Sequence, residues 1–132
     1  IGRNSGFFWV YMTASSAAEA RALARELVRE RLAACVNILG PIRSTYRWKG
    51  GVEEAREIAL IAKTTRARFD ALCERVRALH SYEVPCIVAL PLAAGYRPFL
   101  EWIDESVRPA RPVKARGRRA APAPRGSARR AD

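Results

Sequence analysis

Residues 7–13 read Phe-Phe-Trp-Val-Tyr-Met-Thr, an aromatic and β-branched run that predicts a first strand, since such side chains suit a pleated, half-buried surface. Ser16 and Glu19 then stand at capping-box spacing, and Ala20, Leu23, Ala24, Leu27, Val28 and Leu32 recur at helical intervals. A first helix is therefore expected over residues 17–32. Its other face, with Arg21, Arg25, Arg29, Glu26 and Glu30, reads as solvated surface with intrahelical pairs. From residue 34 the apolar period falls from about 3.6 to 2. Two extended runs, 34–48 and 52–64, flank Lys49-Gly50-Gly51 and predict a long β-hairpin. With Trp48 opposite Val52, the residues Val36, Ile38, Ile42, Ile58, Leu60 and Ala62 share one sheet face. The other face then holds Cys35, Leu39, Thr45, Arg47, Glu57, Ala59, Ile61 and Lys63, with Arg43 opposite Glu57. Pro41 is a candidate bulge that would shift this register by one.

Beyond a cap at Thr65, the spacing of Phe69, Leu72, Cys73, Val76 and Leu79 predicts a second helix ending near His80. Residues 84–92 form an apolar run, read as a strand, and Pro98 opens a short third helix carrying Phe99, Leu100, Trp102 and Ile103. The order β-α-β-β-α-β-α, with both long helices on one side of the sheet, is the ferredoxin-like α+β arrangement. One sheet face then lacks a helical cover, yet Leu39, Ala59, Ile61 and the aromatic first strand are apolar. Such a face predicts packing against other copies. A 13-residue strand spans about 43 Å, longer than a small monomer requires, so the hairpin tip around Trp48 is expected to pair with a neighbour in a closed ring.

The chain has 132 residues, 49 % hydrophobic and 28 % charged, which suits one globular domain. Its formal charge is +11, but the last 24 residues hold eight Lys/Arg against the single acid Asp132. That segment carries +7, leaving +4 on residues 1–108. The division expected is a folded domain over 1–108 and a disordered Arg/Pro/Ala-rich tail over 109–132, available to an acidic partner. No apolar run is long enough for a membrane-spanning helix. Three cysteines, Cys35, Cys73 and Cys86, are an odd number that favours reduced thiols and a cytoplasmic setting.

Cys35, Glu57, His80 and Cys86 are the candidate metal ligands, thiolate and imidazole being suited to copper and zinc, although none has CxxC or HExxH spacing. With one histidine, no GxSxG elbow and no phosphate loop, nothing points to an enzyme. RNA recognition by this fold class needs stacking aromatics on the central strands, and residues 57–63 have none, so no specific nucleic acid is expected.

Five segments resemble the CutA divalent-cation tolerance proteins: Arg31-Leu32-Ala33-Ala34-Cys35-Val36-Asn37; Tyr46-Arg47-Trp48-Lys49-Gly50 with Val52, Glu53 and Glu57; Lys63-Thr64-Thr65; His80-Ser81-Tyr82-Glu83-Val84-Pro85; and residues 96–102. The resemblance covers about residues 9–107. It implies a homotrimer with hairpins paired between subunits, similar to the PII signalling proteins, and a role in tolerance of copper and other divalent metals. By position it makes Cys35 and His80 the copper-binding residues and lets Trp48, Glu57, Lys63, Tyr82 and Glu83 line the intersubunit cleft. No cofactor is required. Ser81 and Cys86 depart from the family pattern, which commonly has Pro and Glu there; the added thiol would favour copper(I) over magnesium-like ions. The alternative the resemblance suggests is a PII-like module binding a small anion through Lys63 and Arg43.

Overall fold

A computed structural model describes residues 6–109. The chain runs β1 (Phe7–Ala14), α1 (Ala17–Arg29), β2 (Cys35–Trp48), β3 (Gly51–Thr65), α2 (Arg66–Leu79), β4 (Ile87–Pro91) and α3 (Arg97–Ser106). The four strands form one antiparallel sheet in the order β2-β3-β1-β4, the ferredoxin-like topology expected from the element order. The expected tail lies outside the described residues, apart from Pro109 at its start.

Local chemistry sets the helix ends. Ser16 Oγ accepts from the Glu19 amide at 3.1 Å, and the Glu19 carboxylate returns to the Ser15 amide at 2.8 Å, one residue earlier than a simple capping box. At the other end α1 stops at Arg29, not Leu32. Arg31 takes a left-handed φ of 61°, its amide donates to the Val28 carbonyl and that of Leu32 to Leu27. These paired bonds are a Schellman termination, here without glycine. Leu32 leaves the helix but stays buried in the core. Thr65 occupies the N-cap position of α2, but its side chain makes no capping bond.

Val10 and Met12 of β1 and Leu60 and Ala62 of β3 meet Leu23 and Leu27 of α1 and Leu72 and Val76 of α2 in one buried cluster. Even-numbered positions of β1 and β3 therefore face the two long helices. The odd-numbered positions form an open face. At one end of that face α3 packs Ile103 and Val107 against Phe7 and Ala34, while Trp9, Val88 and Leu90 remain 40–53 % exposed.

Two expectations about the sheet need correction. Trp48 lies opposite Gly51, not Val52, and the register slips again between Ile38 and Gly40, leaving Leu39 as the extra residue of a bulge. The irregularity falls at Leu39 and Gly40, immediately before Pro41, and the Gly40 φ of 117° belongs to glycine. As a result Ile42, not Arg43, pairs with Glu57, and Arg43 faces Arg56. Ile42 moves with Ser44, Tyr46 and Trp48 to the open face; Thr45 and Arg47 leave it. The fourth strand is also shorter than expected, because residues 81–84 form bends.

Candidate functional site

The bulge brings Ser44, Tyr46 and Trp48 of β2 onto the same side as Glu53 and Glu57 of β3 and Tyr11 and Thr13 of β1. The segment after α2 folds over them with Tyr82, Glu83, Val84 and Cys86. Together these residues enclose an open cavity of about 600 Å³.

Glu57 lies at its floor, only 8 % exposed. Its Oε1 accepts from Ser44 Oγ at 2.5 Å and its Oε2 from the Tyr82 hydroxyl at 2.7 Å. Burial alone would push this carboxyl up, yet hydrogen bonds from Ser44, Tyr82 and Thr13 outweigh it and hold Glu57 below the usual carboxylate range. The same contact acts in reverse on Tyr82: burial and the bond to Glu57 push its phenol well up, so it stays protonated and donates. Cys86, one residue before β4, lines the same cavity, and burial followed by the field of Glu57 raises its thiol.

His80 closes α2, its amide donating to the Val76 carbonyl at 2.8 Å, and its ring is fully buried. Nε2 lies 2.7 Å from the Thr13 carbonyl, which can only accept, and Nδ1 lies 3.1 Å from the Tyr82 amide, which can only donate. Those partners assign the neutral Nε2–H tautomer. The ring ties β1 to the bend that carries Tyr82 and packs tilted at 50° against the Tyr82 ring, centroids 4.6 Å apart, so it positions the donor to Glu57. Glu19 anchors the bend from α1: its Oε2 accepts from the Ser81 amide at 2.7 Å. Ser81, which departs from the expected proline, supplies that amide donor, which a proline lacks.

The remaining sequence candidates separate. Trp48, Tyr82 and Glu83 line the cavity with Glu57 and Cys86. Lys63 does not: its ammonium donates to Asn37 Oδ1 at 2.6 Å and lies 5.6 Å from the centre of the Trp9 ring and 5.9 Å from that of Phe99. Cys35 pairs with Lys63 at that same end of the sheet, level with Trp9, whereas His80 binds Thr13 four residues along β1, about 13 Å away at strand rise. One protomer therefore does not bring Cys35 and His80 together. Among the described residues no group of three or more His, Cys, Asp or Glu is gathered as a metal site, and the three cysteines form no disulfide. The cavity residues sequence reasoning did not select are Tyr11, Thr13, Ser44, Tyr46, Glu53 and Val84. The signal was the glycine before Pro41, which marks where β2 changes face.

Residues 8–106 match the family model of the CutA1 divalent ion tolerance protein. Over 97 residues, 74 % of this chain and 94 % of the relative, the chain is 53 % identical to the divalent-cation tolerance protein CutA of Thermus thermophilus. It is 46 % identical over 99 residues to the protein of that name from Archaeoglobus fulgidus, covering 75 % of this chain and 96 % of the relative. The solved structures agree. The Thermus thermophilus protein superposes with a TM-score of 0.76 at 50 % identity over 77 % of this chain and 99 % of its own. That of Archaeoglobus fulgidus, described as a periplasmic divalent cation tolerance protein, gives 0.75 at 45 % identity over 77 % and 99 %.

Proposed function

The chain belongs to the CutA1 divalent ion tolerance family, and from that premise we propose that it is a homotrimer binding divalent or soft metal ions, copper foremost, at clefts between subunits. Its role is binding, not catalysis. The observation that carries this reading is Glu57, a nearly buried carboxylate kept ionised by hydroxyl donors, beside the Cys86 thiol; among the described residues one protomer gathers no third ligand with them, so a neighbour would have to complete the site. Carboxylate and thiol together suit a borderline or soft cation, which lowers the thiol's effective proton affinity on binding.

Association is supported by two features. The exposed apolar side chains Trp9, Leu39, Val88 and Leu90 make the open face a poor water surface. The hairpin also overhangs: β1 pairs with residues 58–65 of β3, so residues 51–57 extend with only β2 beside them, about 23 Å of unsupported ribbon. A neighbour's strand along that ribbon would complete the cleft. In such a trimer Cys35 would reach a shared ion from a different subunit than Glu57 and Cys86. His80 would have to surrender one of its two present bonds to act as a ligand, so its role in this reading is to position Tyr82. Three thiols without a disulfide suit the reducing cytoplasm.

Titration of the metal-free protein with copper(I) under a competing chelator tests the site. Glu57→Gln and Cys86→Ser are each expected to weaken binding about tenfold or more, and Cys35→Ser less. Affinity equal to wild type in both cavity variants would overturn the assignment.

A further inference from the structure

We propose that the cavity over Glu57 binds a methylated organic ammonium ion, its substituents against the rings of Tyr11, Tyr46, Trp48 and Tyr82 and its charge directed at the carboxylates below and beside them. This goes beyond the metal reading and does not depend on it. A metal ion with bonds of about 2.0–2.5 Å fills one corner of a space of about 600 Å³, which is the size of an ordinary small-molecule site.

The lining selects charge and shape. It contains three carboxylates, Glu53, Glu57 and Glu83, and no lysine or arginine, in a chain whose formal charge is +11. The wall that one protomer supplies attracts a cation. Glu57 already accepts from Ser44 and Tyr82, so it keeps its negative charge while offering few lone pairs to a ligand's N–H groups. That combination suits a cation recognised through field and aromatic faces, without donated hydrogen bonds, which is how quaternary ammonium groups are held. The protein itself supplies an example at the mouth. The Lys49 ammonium sits 5.4 Å from the centre of the Trp48 ring and 3.7 Å from Glu83 Oε1, so one ring and one carboxylate of the lining already hold an alkylammonium. Lys49 is thus an internal competitor for the outer half of the site.

The experiment is calorimetric titration of the full chain, freed of metal with chelator, with choline and with its neutral isostere 3,3-dimethylbutan-1-ol. Choline is expected to bind at least tenfold more tightly than the alcohol. Trp48→Ala and Glu57→Gln should each weaken choline at least fivefold, Lys49→Gln should tighten it severalfold, and Arg21→Ala, on the exposed face of α1, should leave it unchanged. Circular dichroism of each variant separates loss of the site from loss of the fold. Equal affinity for choline and the alcohol overturns the proposal, as does absence of choline binding by folded wild-type protein. A sample that takes up copper(I) but not choline overturns this inference alone and leaves the metal reading standing.

Discussion

Glu57 and Glu19 show how single side chains in this protein keep a charge where burial opposes it. In both, desolvation favours the neutral acid, and in both several hydrogen bonds to the carboxylate win. Glu19, 14 % exposed, accepts from Ser15 and Ser81 and is lowered to about 2. Because the folded carboxyl holds its proton less tightly than the unfolded one, its contribution to stability is complete above pH about 5 and drains away as the pH falls toward 2. After allowance for partial solvation that contribution is on the order of 2 kcal/mol. Urea unfolding of wild type and Glu19→Gln at pH 7 and at pH 3 should show a gap between them that shrinks at the lower pH; a gap independent of pH would refute the linkage. Sequence reasoning found Glu19 as a cap and Glu57 as a candidate ligand. It could not see that Glu19 also restrains Ser81, sixty-two residues along the chain, since that contact exists only once α1 and the bend after α2 are side by side.

At the scale of elements, the helices were readable because 3.6-residue periodicity survives small errors in their ends: α1 was overextended by three residues, yet Leu32 remained in the core. Strands are less forgiving. Their period of two means that one extra residue exchanges the faces of everything beyond it, so the bulge at Leu39 decides whether Ser44 or Arg43 reaches Glu57. Ser44 and Tyr46 escaped sequence reasoning for this reason, and Tyr11 and Thr13 because they lie on the neighbouring β1, whose pairing is not legible in the sequence. Gly40 holds the bulge at a φ that side chains with a Cβ adopt only under strain, and space is not the obstacle, as no atom lies within 4 Å of where that Cβ would stand. Gly40→Ala should therefore lower stability by about 1–3 kcal/mol through backbone strain alone. A reduced urea midpoint with an unchanged slope would bear this out; wild-type stability would mean that the bulge relaxes at no cost.

For the whole molecule, the distribution of charge and of apolar surface point to different partners. An anionic ligand would need Lys63 and Arg43 in the cavity, but Lys63 is engaged with Asn37 beyond it and Arg43 pairs with Arg56 on the other face of the hairpin. The cavity's own carboxylates favour cations. The open face beside it carries the exposed apolar side chains through which the proposed trimer would close. Val88 and Leu90 lie on the edge strand β4, 53 % and 51 % exposed, facing the same way as Tyr11 and Trp9. At about 25 cal/mol per Å² of apolar area, covering two such side chains contributes on the order of 2–3 kcal/mol per subunit, repeated around a ring. Replacing both with lysine adds two charges that would have to be desolvated in the assembly but that water accommodates in a monomer. If the proposed trimer closes through this strand, sedimentation at low micromolar concentration should show three protomers together for wild type and a folded single protomer for Val88→Lys/Leu90→Lys. Because α1, α2 and the core face of β1 contact neither side chain's face, helical circular dichroism should persist; a variant that stays trimeric would place the subunit contact away from β4, on the overhanging hairpin alone.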